Sequence, residues 1–343
     1  MAITIQDVAR EAGVGVGTVS RVINNSPAVK PATREKVQAA IERLKYSPDP
    51  IARSMIARRT DSLGVIVPFF TRPFSIEVLR GIQVASTQLN RELIIYNVET
   101  DEQRELYYSR LPMRRKVDGL LVISLPMDDR TAQSLLSEGI PTVLIDSYNA
   151  FLTSVVVNNV EGAYQAVKCL LRNGHRRIGF INGIIEGHFK FNVANDRLIG
   201  VHRAFGEAGI PFEPELMATA EWNREGGRRA ALELLQLPKP PTAIFAASDI
   251  QAVGVLEAAR SLNVSIPEQL SLIGFDGIEL SDILELSTMQ QPMQQMGELG
   301  VARVMEQIEN PGKAPELIRF EAHLLERRTV APLNVYKPTK LPA

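Results

Sequence analysis

The 343-residue chain has a single cysteine, Cys169. No disulfide can close within it, and the residue's apolar helical surroundings fit a buried, reduced thiol. Histidines are few: His175, His188, His202 and His323. No two stand four apart, the spacing that puts two ligands on one helix face, so no metal site is expected. There is no run of eighteen apolar residues, and Thr4, Gln6, Asp7, Arg10 and Glu11 interrupt the first turns. A membrane span and an export leader are therefore not expected, and a cytoplasmic location is. Gly13, Gly15 and Gly17 follow no strand and do not spell a dinucleotide fingerprint. With no convincing catalytic constellation either, neither an enzyme nor a cofactor is expected.

What is present is apolar enough to fold. Hydrophobic residues make up 45% of the chain, sufficient for two or three cores at this length. The net charge of −1 hides an asymmetry. Residues 1–60 hold ten Lys/Arg against five Asp/Glu, and the remaining 283 hold twenty-eight against thirty-four. A basic head on an acidic body points to a polyanionic partner for the head.

Within the head, Ile5, Val8, Ala9 and Ala12 fall on one helical face, with Thr4 placed to cap it. Gly13-Val14 breaks the pattern. A second helix turns Val19, Val22 and Ile23 inward and ends at Asn24-Asn25. A third opens near Pro31 and buries Val37, Ala40, Ile41 and Leu44. Two short helices joined by a glycine turn and braced by a third make a helix-turn-helix, or else a generic three-helix bundle. In the first case Val16, Gly17, Thr18, Ser20 and Arg21 face the major groove. Arg21 suits guanine or phosphate, Thr18 and Ser20 suit phosphate oxygens, and Val16 suits a thymine methyl.

The order of these residues decides between the two. Ile3-Thr4-Ile5-Gln6-Asp7-Val8-Ala9, Ala12-Gly13-Val14, Thr18-Val19-Ser20-Arg21-Val22-Ile23-Asn24 and Thr33-Arg34-Glu35-Lys36-Val37 together closely resemble the headpiece of the LacI/GalR repressors. The resemblance implies that Thr4, Asn24 and Arg53 also meet DNA. It implies a hinge over Ser47–Ile56, whose Met55 matches a leucine that wedges into the central step of the operator. One departure is Gly15, where the family usually has a capping serine.

Beyond residue 60 the pattern alternates between strands and helices. Apolar runs fall at Leu63–Val67, Leu93–Asn97, Gly119–Ser124, Pro141–Asp146, Ser154–Val157, Ile178–Asn182, Thr242–Ala247 and Leu270–Phe275. Helical patterns lie between them at Ser75–Leu89, Glu161–Arg172, Arg197–Glu207, Arg228–Leu235 and Ile250–Ser261. This predicts parallel sheets covered on both faces, in two layers side by side. Ligands of such sheets bind beyond the carboxyl ends of the strands. Asp146, Asp249 and Asp276 stand at three of those ends, as ligand groups or as helix caps.

The body too resembles the LacI/GalR core, itself similar in fold to periplasmic sugar-binding proteins. The matching stretches are Gly174-His175-Arg176-Arg177-Ile178-Gly179, Arg197-Leu198-Ile199-Gly200, Ala247-Ser248-Asp249 and Ser271-Leu272-Ile273-Gly274-Phe275-Asp276. The implied fold is an all-α helix-turn-helix headpiece plus an α/β periplasmic-binding-protein-like core of two doubly wound parallel-sheet subdomains. The implied divisions are a headpiece 1–46, a hinge 47–60, a core 61–330 and a tail 331–343. Subdomain one takes 61–161 and 292–322; subdomain two takes 162–291 and 323–330. By position, Arg197 and Asp276 grip effector hydroxyls and Trp222 stacks on the ligand, while Phe74, Asp146, Ser147, Asp249 and Gln291 complete the pocket. The resemblance implies operator DNA, a small effector and a second copy of the chain as partners. A sugar or sugar derivative leads as effector, with a purine-like ligand the other class. Two different functions stay open: a solute receptor without a regulatory role, and a DNA-binding protein deaf to ligands.

Overall fold

The computed structural model describes residues 3–23, 26–46, 60–114, 116–184 and 192–333. The chain divides into two compact units, one ending at Asp61 and the other starting at Ser62.

The first unit is three helices: α1 (Ile5–Ala12), α2 (Val16–Ile23) and α3 (Pro31–Leu44). The Asp7 carboxylate accepts from the Thr4 N–H at 2.9 Å and from its hydroxyl at 2.7 Å, which fixes the start of α1. α1 stops at Gly13 because that residue takes a left-handed φ of 63°, which costs a glycine nothing. The Val14 N–H then returns to the Ala9 carbonyl at 3.0 Å and closes the turn. Val8, Val19 and Val37, one from each helix, are fully buried and meet Ala9, Val22 and Ala40 in a single core. Pairing Arg43 with Glu11 at 2.7 Å braces α3 against α1.

The second unit holds two six-stranded sheets. The first sheet contains β1 (Ser62–Pro68), β2 (Glu92–Val98), β3 (Gly119–Ile123), β4 (Thr142–Ile145), β5 (Thr153–Val157) and β11 (Leu317–Phe320). The second contains β6 (Ile178–Gly183), β7 (Met217–Ala220), β8 (Ala243–Ala246), β9 (Ser271–Asp276), β10 (Ser287–Gln290) and β12 (His323–Leu325). Spatial order is β11-β5-β4-β3-β1-β2 in one and β12-β10-β9-β8-β6-β7 in the other. Every pairing is parallel except β10 with β12. All seven residues of β1 are buried, as expected for a strand covered on both faces.

Helices α4 (Pro73–Gln88), α5 (Asp101–Arg114), α6 (Asp129–Ser137) and α12 (Met293–Glu309) clothe the first sheet. Helices α7 (Asn159–Arg172), α8 (Asn192–Glu207), α9 (Arg224–Leu235), α10 (Asp249–Ser261) and the short α11 (Glu279–Ile283) belong with the second. The chain passes between the two halves after β5, after β10 and after β11. In each half the strand order reverses beside one strand, β1 or β6, and there the carboxyl ends open a crevice.

Four strands escape the sequence pattern: β7, β10, β11 and β12. Each is only three or four residues long, and β10, Ser-Thr-Met-Gln, is largely polar. Helices α5, α6, α11 and α12 are also additions. The α5 segment has six charged residues among its fourteen, four of them in the first five, so no apolar stripe announces it.

Candidate functional site

A cavity opens where the carboxyl ends of the two sheets face each other. Its open space measures about 610 Å³ out to the mouth. One half supplies Pro68, Arg72, Pro73, Phe74, Ser75, Ser124 and Asp146 to its wall. The other supplies Val193, Arg197, Trp222, Ser248, Ile250 and Asp276. Nearby backbone is unusual for non-glycine residues. Phe69, Ser124, Asp146 and Asp276, each at or just past a strand end, have φ of 46°, 51°, 58° and 128°. Such conformations cost roughly 1–3 kcal/mol each and gather at functional sites.

Arg197, projecting from α8, is the buried centre of the wall, only 3% exposed. Its Nε donates to Asn159 Oδ1 at 2.9 Å, and Nη1 donates to the Ala247 carbonyl. Nη2 lies 3.9 Å from Asp276 Oδ1. The guanidinium rests 3.7 Å from the Phe275 ring centroid and 5.6 Å from the Trp222 ring. Burial lowers the Arg197 pKa, opposed chiefly by Asp276 and then by Asp146. Burial likewise raises Asp276 well above the usual carboxylate range, against the pull of Arg197. Asp146 is pushed up to about 6 by burial, although the Ser124 hydroxyl donates to its Oδ2 at 2.7 Å. Its other oxygen, Oδ1, is buried and has no partner among the described residues. One guanidinium, two strained carboxyls and an indole thus converge on one opening. Such a set grips vicinal hydroxyls on its polar side and a flat apolar face on the other.

Trp222 reaches this wall because residue 183 is glycine. A Cβ there would fall 2.0 Å from the indole ring. Gly183→Ala is therefore expected to displace the indole and weaken binding in the cavity on the order of tenfold. Emission from the only tryptophan reports both effects in one titration.

The first unit presents a different surface. Val16 is 42% exposed, Gly17 and Arg21 are exposed, and Thr18 and Ser20 are half-buried on the same helix. Thr4 is exposed at the start of α1. Arg10 and Arg43 are held by Asp7 and Glu11, whereas Arg21 has no carboxylate partner among the described residues. Asn24, Arg53 and Met55 lie outside the described residues, as does nearly all of the 47–60 hinge.

Residues 4–49 match the description "bacterial regulatory proteins, lacI family", and residues 152–330 match "periplasmic binding protein-like domain". Catabolite control protein A of Priestia megaterium is 34% identical over 87% of this chain and 90% of its own length. The ribose operon repressor of Haemophilus influenzae is 34% identical over 96% of this chain and 99% of its own. The chain belongs to the LacI family. Among solved structures, a complex of the transcriptional regulator CelR with cellobiose aligns at a TM-score of 0.71 and 30% identity, covering 95% of this chain and 99% of that one. As a LacI-family member this protein is a DNA-binding transcriptional regulator.

Of the pocket residues expected of a LacI-family core, Phe74, Asp146, Arg197, Trp222 and Asp276 line the cavity. Three others do not. Asp249 is fully buried and its carboxylate is used internally: it accepts from Gly277 N–H at 2.7 Å, Ile278 N–H at 3.0 Å and the Thr288 hydroxyl at 2.5 Å. Ser147 donates to the Leu125 carbonyl at 2.8 Å and is also buried. Gln291 sits behind the wall, donating to Asp276 Oδ1 at 2.7 Å, and acts on the cavity through that carboxyl. Arg72, Ser75, Ser124 and Ser248 are additions to the wall, and Asn159 stands behind it holding Arg197. No composition or period marks them, because each is defined by the strand end beside it.

Proposed function

We propose that this LacI-family regulator binds a pseudo-palindromic operator as a homodimer and is switched by a polyhydroxylated effector in the cavity between the two halves of its core. The reading rests above all on Arg197. It is held rigidly by Asn159 and Ala247, with an unsaturated carboxyl and an indole beside it. Two similar regulators, one named for a ribose operon and one solved with cellobiose, support a sugar-like body for the effector. Arg197 and Asp276 bind its hydroxyls, Trp222 covers its apolar face, and Phe74 and Asp146 close the opposite side.

In the headpiece, α2 enters the major groove. Val16 meets a thymine methyl, Arg21 a guanine or phosphate, and Thr18 and Ser20 phosphate oxygens, while Gly17 lets the helix approach closely. Thr4 adds a backbone contact. The chain divides functionally at residues 46 and 60, with Arg53 and Met55 of the hinge meeting DNA at the operator centre. It catalyses nothing and works in the cytoplasm, where the operator is. The effector acts by favouring one arrangement of the two core halves. A coupling of roughly 1–3 kcal/mol, or 5- to 150-fold in operator affinity, is enough for a switch.

Thermal melting against a panel of sugars, sugar phosphates and nucleobases identifies the effector class. At a hundredfold excess over Kd, a true effector stabilises by roughly 2.7 kcal/mol. The same compound must then change the affinity for an operator selected from random DNA. Binding without any change in operator affinity leaves a receptor with no switch and overturns the reading.

A further inference from the structure

The cavity has a cationic corner that no acid among the described residues neutralises. Arg72 lies in the wall, at the residue preceding α4, with its guanidinium 3.9 Å from the Phe69 ring centroid. Half-buried arginines elsewhere in the body face carboxylates. Arg91 meets Asp118 at 3.1 Å, Arg104 meets Asp101 at 3.0 Å, Arg177 meets Glu215 at 2.8 Å and Arg303 meets Glu306 at 3.1 Å. Arg72 has a ring on one side, the opening on the other, and no ion-pair partner among the described residues. Its pKa is drawn down to about 10 by burial, and no acid opposes that burial.

Neither acid of the cavity wall, Asp146 or Asp276, pairs with Arg72. Arg72 follows β1, whereas Asp146 follows β4, two strands across the same sheet with β3 between. At the usual interstrand spacing those strand ends are about 10 Å apart. Asp276 and Arg197 belong to the opposite half. The corner also holds the first turn of α4, a sixteen-residue helix without a side-chain cap, whose opening N–H groups favour negative charge.

We propose that the effector bears one anionic group, a phosphate monoester or a carboxylate, which docks on Arg72 while its hydroxylated body reaches Arg197 and Asp276. This rests on the reading of the cavity as the effector site and adds the chemical class of the molecule. A bare guanidinium fork beside an open cavity is a bidentate site for either oxyanion. The two sources differ in geometry, and the test separates them.

The probes are hexoses and pentoses, their terminal phosphate esters, the matching uronic acids, and inorganic phosphate, each titrated against the full-length protein with Trp222 emission and melting as readouts. One anionic member is expected to bind roughly 10- to 100-fold more tightly than its neutral parent. Whether it is the ester or the uronate names the source. Arg72→Met keeps the apolar stem against Phe69 and is expected to weaken the anionic member far more than the parent. Arg72→Lys, a point charge, is expected to keep part of the preference and covers the case in which the methionine variant does not fold. Equal binding of ester, acid and parent, or an equal loss of all three in Arg72→Met, overturns the anionic corner and leaves the effector cavity standing. Failure of every probe, inorganic phosphate included, to bind the wild-type protein overturns the corner and the cavity reading together.

Discussion

Arg197→Ala is expected to abolish effector-induced stabilisation and raise the effector Kd by at least about a hundredfold. The side chain does two jobs that alanine cannot. Its guanidinium bonds Asn159 and the Ala247 carbonyl, and so ties the starts of α7 and α10 to the cavity wall. It also offsets the buried carboxyls of Asp276 and Asp146. Removing one partner of a buried charged pair typically costs about 3–5 kcal/mol. Here the loss falls toward the low end, because Asp276 can remain protonated once Arg197 is gone. The melting temperature of the unliganded protein should therefore drop, and Asp276 should titrate at still higher pH. Arg197→Lys preserves charge but not the fork, and should recover stability better than affinity. Calorimetric titration with the identified effector separates the two quantities. An Arg197→Ala protein that melts lower but binds normally would make the residue a strut of the core and nothing more.

How far the sequence foretells this arrangement depends on the kind of signal. The headpiece was legible helix by helix, because each helix is short, amphipathic and punctuated by a residue with one structural use, such as Gly13. The central strands of both sheets were legible as well, since full burial demands unbroken apolar runs like Leu63–Val67. Marginal strands were not. β11 and β12 are added late in the chain and take their place from the sheet edge that receives them.

The site shows the same division. Strand-end logic brought Asp146, Asp249 and Asp276 forward, each as a ligand group or a helix cap, with the cap weighing most at Asp249. It cannot tell which way a carboxylate turns. Asp249 opens α10 and looks inward to hold the 277–278 turn, while Asp146 and Asp276 have positive φ and look into the cavity. That distinction is a property of backbone geometry after folding. Arg72 is the converse case. In sequence it is one arginine among many, and only the lack of a carboxylate partner among the described residues marks it.

Asp146 Oδ1, without a partner among the described residues, leads to the second large effect. Asp146→Asn is expected to stabilise the unliganded protein at neutral pH and to weaken effector binding roughly 10- to 100-fold. The sign follows from linkage. Burial raises this carboxyl from 3.8 to about 6, so the folded protein holds a proton there that the unfolded chain has already released. Stability is therefore higher below about pH 4 and falls as pH rises to about 6, after which this group's contribution is constant. The full shift corresponds to roughly 3 kcal/mol; the residue as a whole is only half-buried although its Oδ1 is closed off from solvent, and screening reduces the figure to about 1–2. Asparagine removes the titration, tolerates the left-handed φ of 58°, and can still accept from Ser124. Alanine would add strain at that φ and lose the hydrogen bond, which makes asparagine the cleaner replacement. Melting curves from pH 4 to 8 should therefore run flatter for Asp146→Asn than for the wild type and lie above it at pH 7. A parallel pair of curves would mean that Asp146 is ionised at its ordinary pKa, already satisfied in solution, and no reserve for the effector. A flatter curve together with lost affinity would show a group held at a cost to the fold because the effector uses it.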